Sequence, residues 1–148
     1  MFSNKFQKFF LVISGQLKFE LKAYIHPTTY IIIDCMCFGI FGTGSELTDK
    51  DIYDRAISAD KPSVVVFYKP DMEKNQEVLN LLSKFQKIYE DKVNFFVMDA
   101  QKNTTAEDLG IFHFPTILYF RDTMELERHD YIPTEEEVEQ AIRRLLRL

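Results

Sequence analysis

From Thr48 onward, short apolar runs alternate with stretches whose apolar residues recur at helical spacing. Thr48-x-x-Asp51 can cap a helix that turns Ile52, Ala56 and Ile57 inward, and Lys61-Pro62 ends it. Ser63 to Tyr68, with Val64-Val65-Val66-Phe67 at its centre, has the continuous β-branched character of a buried strand. The spacing then predicts a long helix from Asp71 to Glu90, with Val78, Leu81, Leu82, Phe85, Ile88 and Tyr89 inward. Val93 to Asp99 reads as a second buried strand of the kind found inside parallel sheets. Thr104 to Leu109 is a short helix stopped by Gly110. Ile111-Phe112-His113-Phe114-Pro115 leads tightly into a strand from Thr116 to Phe120. Arg121-Asp122-Thr123-Met124 turns the chain, and Glu125 to Tyr131 returns as an edge strand. Thr134-x-x-Glu137 is a capping box for a last helix that buries Val138, Ile142, Leu145 and Leu146. The order α-β-α-β-α-β-β-α predicts parallel strands with crossover helices, followed by an antiparallel hairpin.

Upstream, the pattern changes. Phe2, Phe6, Phe9, Phe10, Ile13 and Leu17 make an amphipathic stripe, and residues 1–19 hold Lys5, Lys8 and Lys18 but no acid. Such a start fits an organelle presequence, although it has no Arg; a surface helix docked on a partner or lipid face fits too, and a secretory signal is a third reading. Residues 23–44 are apolar but interrupted. The run Tyr30–Ile33 is far short of the ~20 residues a membrane-crossing helix needs. Extending it through Phe41 takes in Asp34, at a cost on the order of 3 kcal/mol in mid-bilayer. A span inside a larger membrane assembly and a strand or helix covered by a partner both remain open. Gly42-Thr43-Gly44-Ser45 reads as a linker, which divides the chain into an extension at 1–45 and a domain at 46–148.

Charge follows the same division. The net charge is −5, and residues 48–148 carry 14 basic and 20 acidic groups. Without a concentrated basic face, a nucleic-acid partner is not expected. The two cysteines, Cys35 and Cys37, both lie in the extension. They could form a strained small-ring disulfide, hold a soft metal, or serve only as small buried hydrophobes. No Cys/His zinc spacing occurs, so no metal and no cofactor are expected. The histidines are His26, His113 and His129. His113, beside Phe114-Pro115, is a weak acid/base candidate without an evident nucleophile to serve. Glu135-Glu136-Glu137 and Arg143, Arg144 and Arg147 sit at opposite ends of the last helix and complement its dipole.

The phrases KPSVVVFYKP, YEDKVNFFVMDA and FHFPTILYF, with the capped final helix, make residues 48–148 resemble a thioredoxin domain of the protein disulfide isomerase kind. The resemblance implies a three-layer α/β/α sandwich with a mixed central sheet and a cis peptide before Pro115. It also implies a peptide groove bounded by Tyr68, Asp71, Met72, Phe114 and Pro115. It assigns the family's Cys-x-x-Cys positions to Met72, Glu73, Lys74 and Asn75, its buried proton-handling carboxylate to Val66, and that group's lysine partner to Val97. Thiolate attack is the family's reaction, and neither a thioether nor an amide can perform it. Two family glycines are also replaced, one within Asp122-Thr123-Met124 and one near Ile132-Pro133, which implies an altered groove. The family's first strand is not evident; either Tyr30–Ile33 supplies it or the domain begins at its first helix. The expectation is a redox-inactive structural or adaptor module. It would be anchored by residues 1–45 to other protein subunits of a membrane assembly, with the mitochondrion the preferred organelle and the secretory pathway the alternative. Two rival expectations are an oxidoreductase using Cys35 and Cys37 near Pro115, and a chaperone-like module binding clients across Met72, Phe114 and Pro115. An open apolar groove would favour the chaperone; a groove filled by the extension would count against it.

Overall fold

The computed structural model describes residues 45–148. Cys35, Cys37, the Tyr30–Ile33 run and residues 1–44 as a whole lie outside the described residues. Five strands form one mixed sheet: β1 (Glu46–Leu47), β2 (Ser63–Tyr68), β3 (Asn94–Asp99), β4 (Thr116–Arg121) and β5 (Met124–His129), in the order β1-β3-β2-β4-β5. β1, β3 and β2 run parallel, and β4 and β5 are antiparallel additions. Four helical segments complete the domain: a single π-type turn α1 (Tyr53–Ile57), α2 (Asn75–Tyr89), α3 (Thr105–Asp108) and α4 (Glu135–Leu146).

Side-chain alternation along the strands sorts the core into two layers. Val64, Val66, Val97, Ile117 and Tyr119 face α2 and α4, where Val78, Leu79, Leu82, Phe85, Val138, Ile142 and Leu145 close over them. Val65, Phe67, Met98, Leu118 and Phe120 face the other way, against Leu47, Ile52, Ala56, Ala106 and Ile111. β2 lies between β3 and β4 and is buried at every position, which is why its sequence shows no polar alternation. The three-layer sandwich with a mixed sheet is thus as the resemblance implies.

Several local expectations are corrected. The first strand precedes the first helix, at Glu46–Leu47; two residues are too short to show a period, and Val97 N–H donating to the Ser45 carbonyl (2.9 Å) helps hold β1 in place. The helix expected after Thr48 is short and π-type, at Tyr53–Ile57, and the cap is present: Asp51 accepts from the Thr48 N–H and hydroxyl, the Thr48 carbonyl accepts from Ile52 N–H (3.1 Å), and Ser58 N–H donates to the Tyr53 carbonyl (2.7 Å) across the π turn. α2 starts at Asn75, not Asp71, because the Lys69 carbonyl draws the Met72 N–H (3.1 Å) into a tighter turn. Ile88 is 66% exposed. At 100° per residue it sits about 100° from the centre of the buried stripe, whereas Leu79 falls within it. β5 runs from Met124 to His129 rather than from Glu125 to Tyr131. The turn before it has Asp122 and Thr123 both left-handed (φ 53° and 66°), so the hairpin closes without a glycine. At α4 the capping box is present as expected, Thr134 Oγ1 accepting from Glu137 N–H and the Glu137 carboxylate from Thr134 N–H.

Candidate functional site

The carboxyl end of β2 and the loop into β4 meet at one end of the sheet, with the first turn of α2 following β2 there, and most of the positions that the resemblance assigns lie there. The peptide between Phe114 and Pro115 is cis. Pro115 is buried, Phe114 half-buried and His113 exposed. Thr116 Oγ1 donates to the His113 carbonyl (2.6 Å) and ties the loop to the head of β4. The Lys69 ammonium lies 4.7 Å from the centroid of the Phe114 ring, a cation–π contact that joins the β2 exit to this loop. Met72, on the turn after Pro70, is 41% exposed, and Phe112 is 80% exposed. Both are large apolar side chains left exposed.

Asn75 opens α2 and is buried. Its Nδ2 donates to the Lys69 carbonyl (2.6 Å), but its Oδ1 is buried without a hydrogen-bond partner among the described residues. Such an orphan acceptor typically costs about 1–3 kcal/mol. Val66 and Val97 are direct neighbours in the β2–β3 register, at 1% and 2% exposure. The pair that the resemblance assigns to a proton acceptor and its counter-charge is therefore one contiguous apolar patch within the α2/α4 core.

Tyr68 is buried within the same layer, and its carbonyl accepts from Ala100 N–H (2.8 Å). Asp71 accepts from Gln101 Nε2 (3.2 Å), which connects the α2 turn to the loop after β3. That loop is fastened in turn. Asp99 is fully buried at the end of β3; its carboxylate accepts from Gln101 N–H, and Lys102 Nζ lies 3.6 Å from its other oxygen. Asn103 Nδ2 donates to the Asp99 carbonyl (2.9 Å), and Asn103 Oδ1 accepts from Asp49 N–H (3.0 Å). The Asp49 carboxylate accepts from the backbone N–H groups and hydroxyls of Thr104 and Thr105, so it caps α3 from a distant part of the chain. The hydrogen bond from the Thr105 hydroxyl is the foremost cause holding its carboxyl below the usual range. The contact from residue 49 to residues 104 and 105 exists only after folding.

The histidines separate. His113 stands exposed on the loop. His129 is buried at the end of β5, its Nδ1 3.2 Å from the Tyr119 hydroxyl and its Nε2 3.6 Å from Glu127. Burial is the largest influence on it and lowers its pKa. Glu127 also accepts from Arg144 Nε and Nη2, so the cluster joins β4, β5 and α4. Among the described residues no group of three or more His, Cys, Asp or Glu side chains could hold a metal, and no helix is long and apolar enough to cross a membrane.

The Thioredoxin family model matches residues 44–144. No curated protein matches. Among solved structures the chain is similar to one titled "Crystal structure of a designed protein". The identity is 19% and the TM-score 0.61, with 70% of this chain and 93% of that one covered. At that identity the likeness speaks for the fold alone. The family match spans well over half of the chain, and the sheet order and the cis proline agree with it; the chain belongs to the thioredoxin family.

Proposed function

We propose that this protein is a redox-inactive thioredoxin-like module that works by holding other protein subunits, and that residues 1–45 anchor it to a membrane-associated assembly. The observation that carries the reading is the valine pair Val66–Val97 beneath a first turn whose sulfur positions are Met72 and Asn75. A thiol enzyme of this fold needs a nucleophile, a resolving thiol and a route for the proton. Residues 46–148 contain no cysteine, and the two buried positions offer no proton acceptor. The anchor is inferred from the basic, acid-free stripe at residues 1–19 and the apolar run behind it; a mitochondrial membrane is the compartment this composition fits first.

Insulin reduction by the full chain tests the redox half of the proposal. No rate above that of the chemical reductant alone is expected. Turnover that survives Cys35→Ser/Cys37→Ser would overturn the reading; turnover abolished by it would move the activity to that pair. Monodisperse full chain without detergent or partner would overturn the anchoring half. A chaperone-like role is the second reading, favoured by the exposure of Met72 and Phe112. Suppression of client aggregation that is lost in Phe112→Ser would support it.

A further inference from the structure

We propose that His129 is an acid-sensitive latch: neutral, it holds the end of β5 against the start of α4, and charged, it opens that seam while the rest of the sheet stays closed. The inference goes beyond the adaptor reading and does not depend on it, since the seam shares no residue with the turn that carries Met72 and Asn75.

The seat of the ring decides where its proton lies. Tyr119 of β4 meets His129 edge to face with ring centroids 5.4 Å apart, and Tyr131, just past β5, does so at 5.5 Å. The Tyr119 hydroxyl is 3.2 Å from Nδ1, and a Glu127 carboxylate oxygen is 3.6 Å from Nε2. A proton on Nε2 faces the carboxylate and leaves Nδ1 to accept from the Tyr119 hydroxyl; the other tautomer would set a lone pair against Glu127. Tyr119 is fully buried, and burial is the foremost cause raising its pKa, so the hydroxyl keeps its proton. Among the described residues that hydroxyl has no other hydrogen-bond partner.

Acid upsets this arrangement. A charged ring carries a proton on both nitrogens, so Nδ1 turns from acceptor to donor and the Tyr119 proton loses its only acceptor inside the fold. The charges around the ring are Glu127 on β5, Asp130 just beyond it, and Glu137 and Arg144 on α4. Glu127 is already bonded to Arg144 Nε and Nη2, so a second cation must share it. Burial outweighs these charges and lowers the pKa of His129. An opened seam returns the ring to water and to a pKa of ~6.5, so the open form binds the proton more tightly and gains population as pH falls below that value.

The opening is local because of what the ring touches. The Tyr131 hydroxyl donates to Glu137 (3.1 Å), and the same carboxylate accepts from Thr134 N–H (2.7 Å) to close the capping box of α4. Displacing His129 from the Tyr131 ring therefore disturbs the cap of α4 directly. The Thr134 N–H is the foremost cause holding the Glu137 carboxyl below its usual range, so that group stays ionised while a histidine titrates. β5 is the last strand in the sheet order, and Ile117↔His129 is the terminal pair of its ladder. That end can part from β4 without breaking any other strand pair.

Hydrogen exchange and ring titration in the full chain test this together. The charge on His129 is read from its imidazole shifts by NMR, and exchange is read by mass on peptides covering residues 127–138, β2 and α2, corrected for the intrinsic rate. Below pH ~6.5 the opening of residues 127–138 is expected to rise by up to about tenfold per pH unit while β2 and α2 keep their protection. His129→Gln, which cannot take the proton, should lack that rise. Tyr119→Phe removes the donor to Nδ1, so its His129 ring should titrate at a higher pH than in wild type. A rise shared by β2 and α2, a rise of equal size in His129→Gln, or a ring that stays neutral until the whole domain unfolds would overturn the proposal. So would a Tyr119→Phe midpoint at or below that of wild type, a comparison that stands even where His129→Gln fails to fold.

Discussion

Replacing Val66 with aspartate puts at this position the kind of group that the resemblance assigns to it, and the structure says what it would cost. Val66 is 1% exposed and lies against Val97. A carboxyl placed there has no described partner, so at neutral pH it must stay protonated or unfold the domain. Keeping a proton at pH 7 on a group whose unfolded pKa is ~3.9 costs 3.1 units at 1.36 kcal/mol each, or about 4 kcal/mol. Lost packing and an unmet hydroxyl add about 1–3 kcal/mol at every pH. Against a total stability of roughly 5–15 kcal/mol, Val66→Asp should be near the edge of folding at pH 7. The sign follows from the raised folded pKa. The folded state binds the extra proton, so stability relative to wild type falls as pH rises, by about 1.4 kcal/mol per unit from pH ~4 up to the folded pKa. Urea denaturation of both proteins at pH 4.5, 5.5, 6.5 and 7.5 reads this slope directly. Adding Val97→Lys should recover part of the loss, because in-register parallel neighbours bring carboxylate and ammonium within reach. A pH-independent difference between Val66→Asp and wild type, or a double variant no better than the sum of the singles, would refute the reasoning.

Other expectations follow from the same contacts. Burial lowers the pKa of His129, so the unfolded chain takes up more protons below pH 6.5. Stability is therefore full above pH 6.5 and declines as pH falls toward the folded pKa, by at most about 1.4 kcal/mol per unit, and denaturation of His129→Gln should show that component gone. Removing the α3 cap with Asp49→Ala should cost about 1 kcal/mol at pH 7, read by urea midpoint. Because the Asp49 pKa is lowered, its stabilisation is present above the unfolded carboxyl pKa and lost as pH falls through the folded one, so the two proteins should converge in acid. Thr123→Gly should raise stability by about 0.5–1 kcal/mol in thermal melts, since a β-branched residue is held at φ 66°.

How much of the site could be read in the chain depended on the range of the interactions. Met72, Asn75, Val66 and Val97 are positions that the resemblance picks out; the strand–turn–helix carrying Val66, Met72 and Asn75 is local, and the strand holding Val97 is plainly apolar, so their elements were legible in the chain. Lys69 over Phe114, and Asp49 on Thr104 and Thr105, were not legible: each joins segments about 45 to 56 residues apart, and no periodicity encodes such a pair. The burial of His129 was not legible either: its neighbours Arg128 and Asp130 are polar, and its contact with the Tyr119 hydroxyl exists only in the assembled layers.

Local patterning by itself determined where β2 and β4 run and where α4 is capped, since a two-residue or 3.6-residue period and a capping box act over a few residues. Tertiary packing decided the rest. It made the first helix a short π-type one, turned Ile88 outward, set β1 at Glu46–Leu47, and brought Val66 beside Val97 as one apolar patch. Those outcomes depend on which faces meet, and a face exists only once distant segments have been brought together.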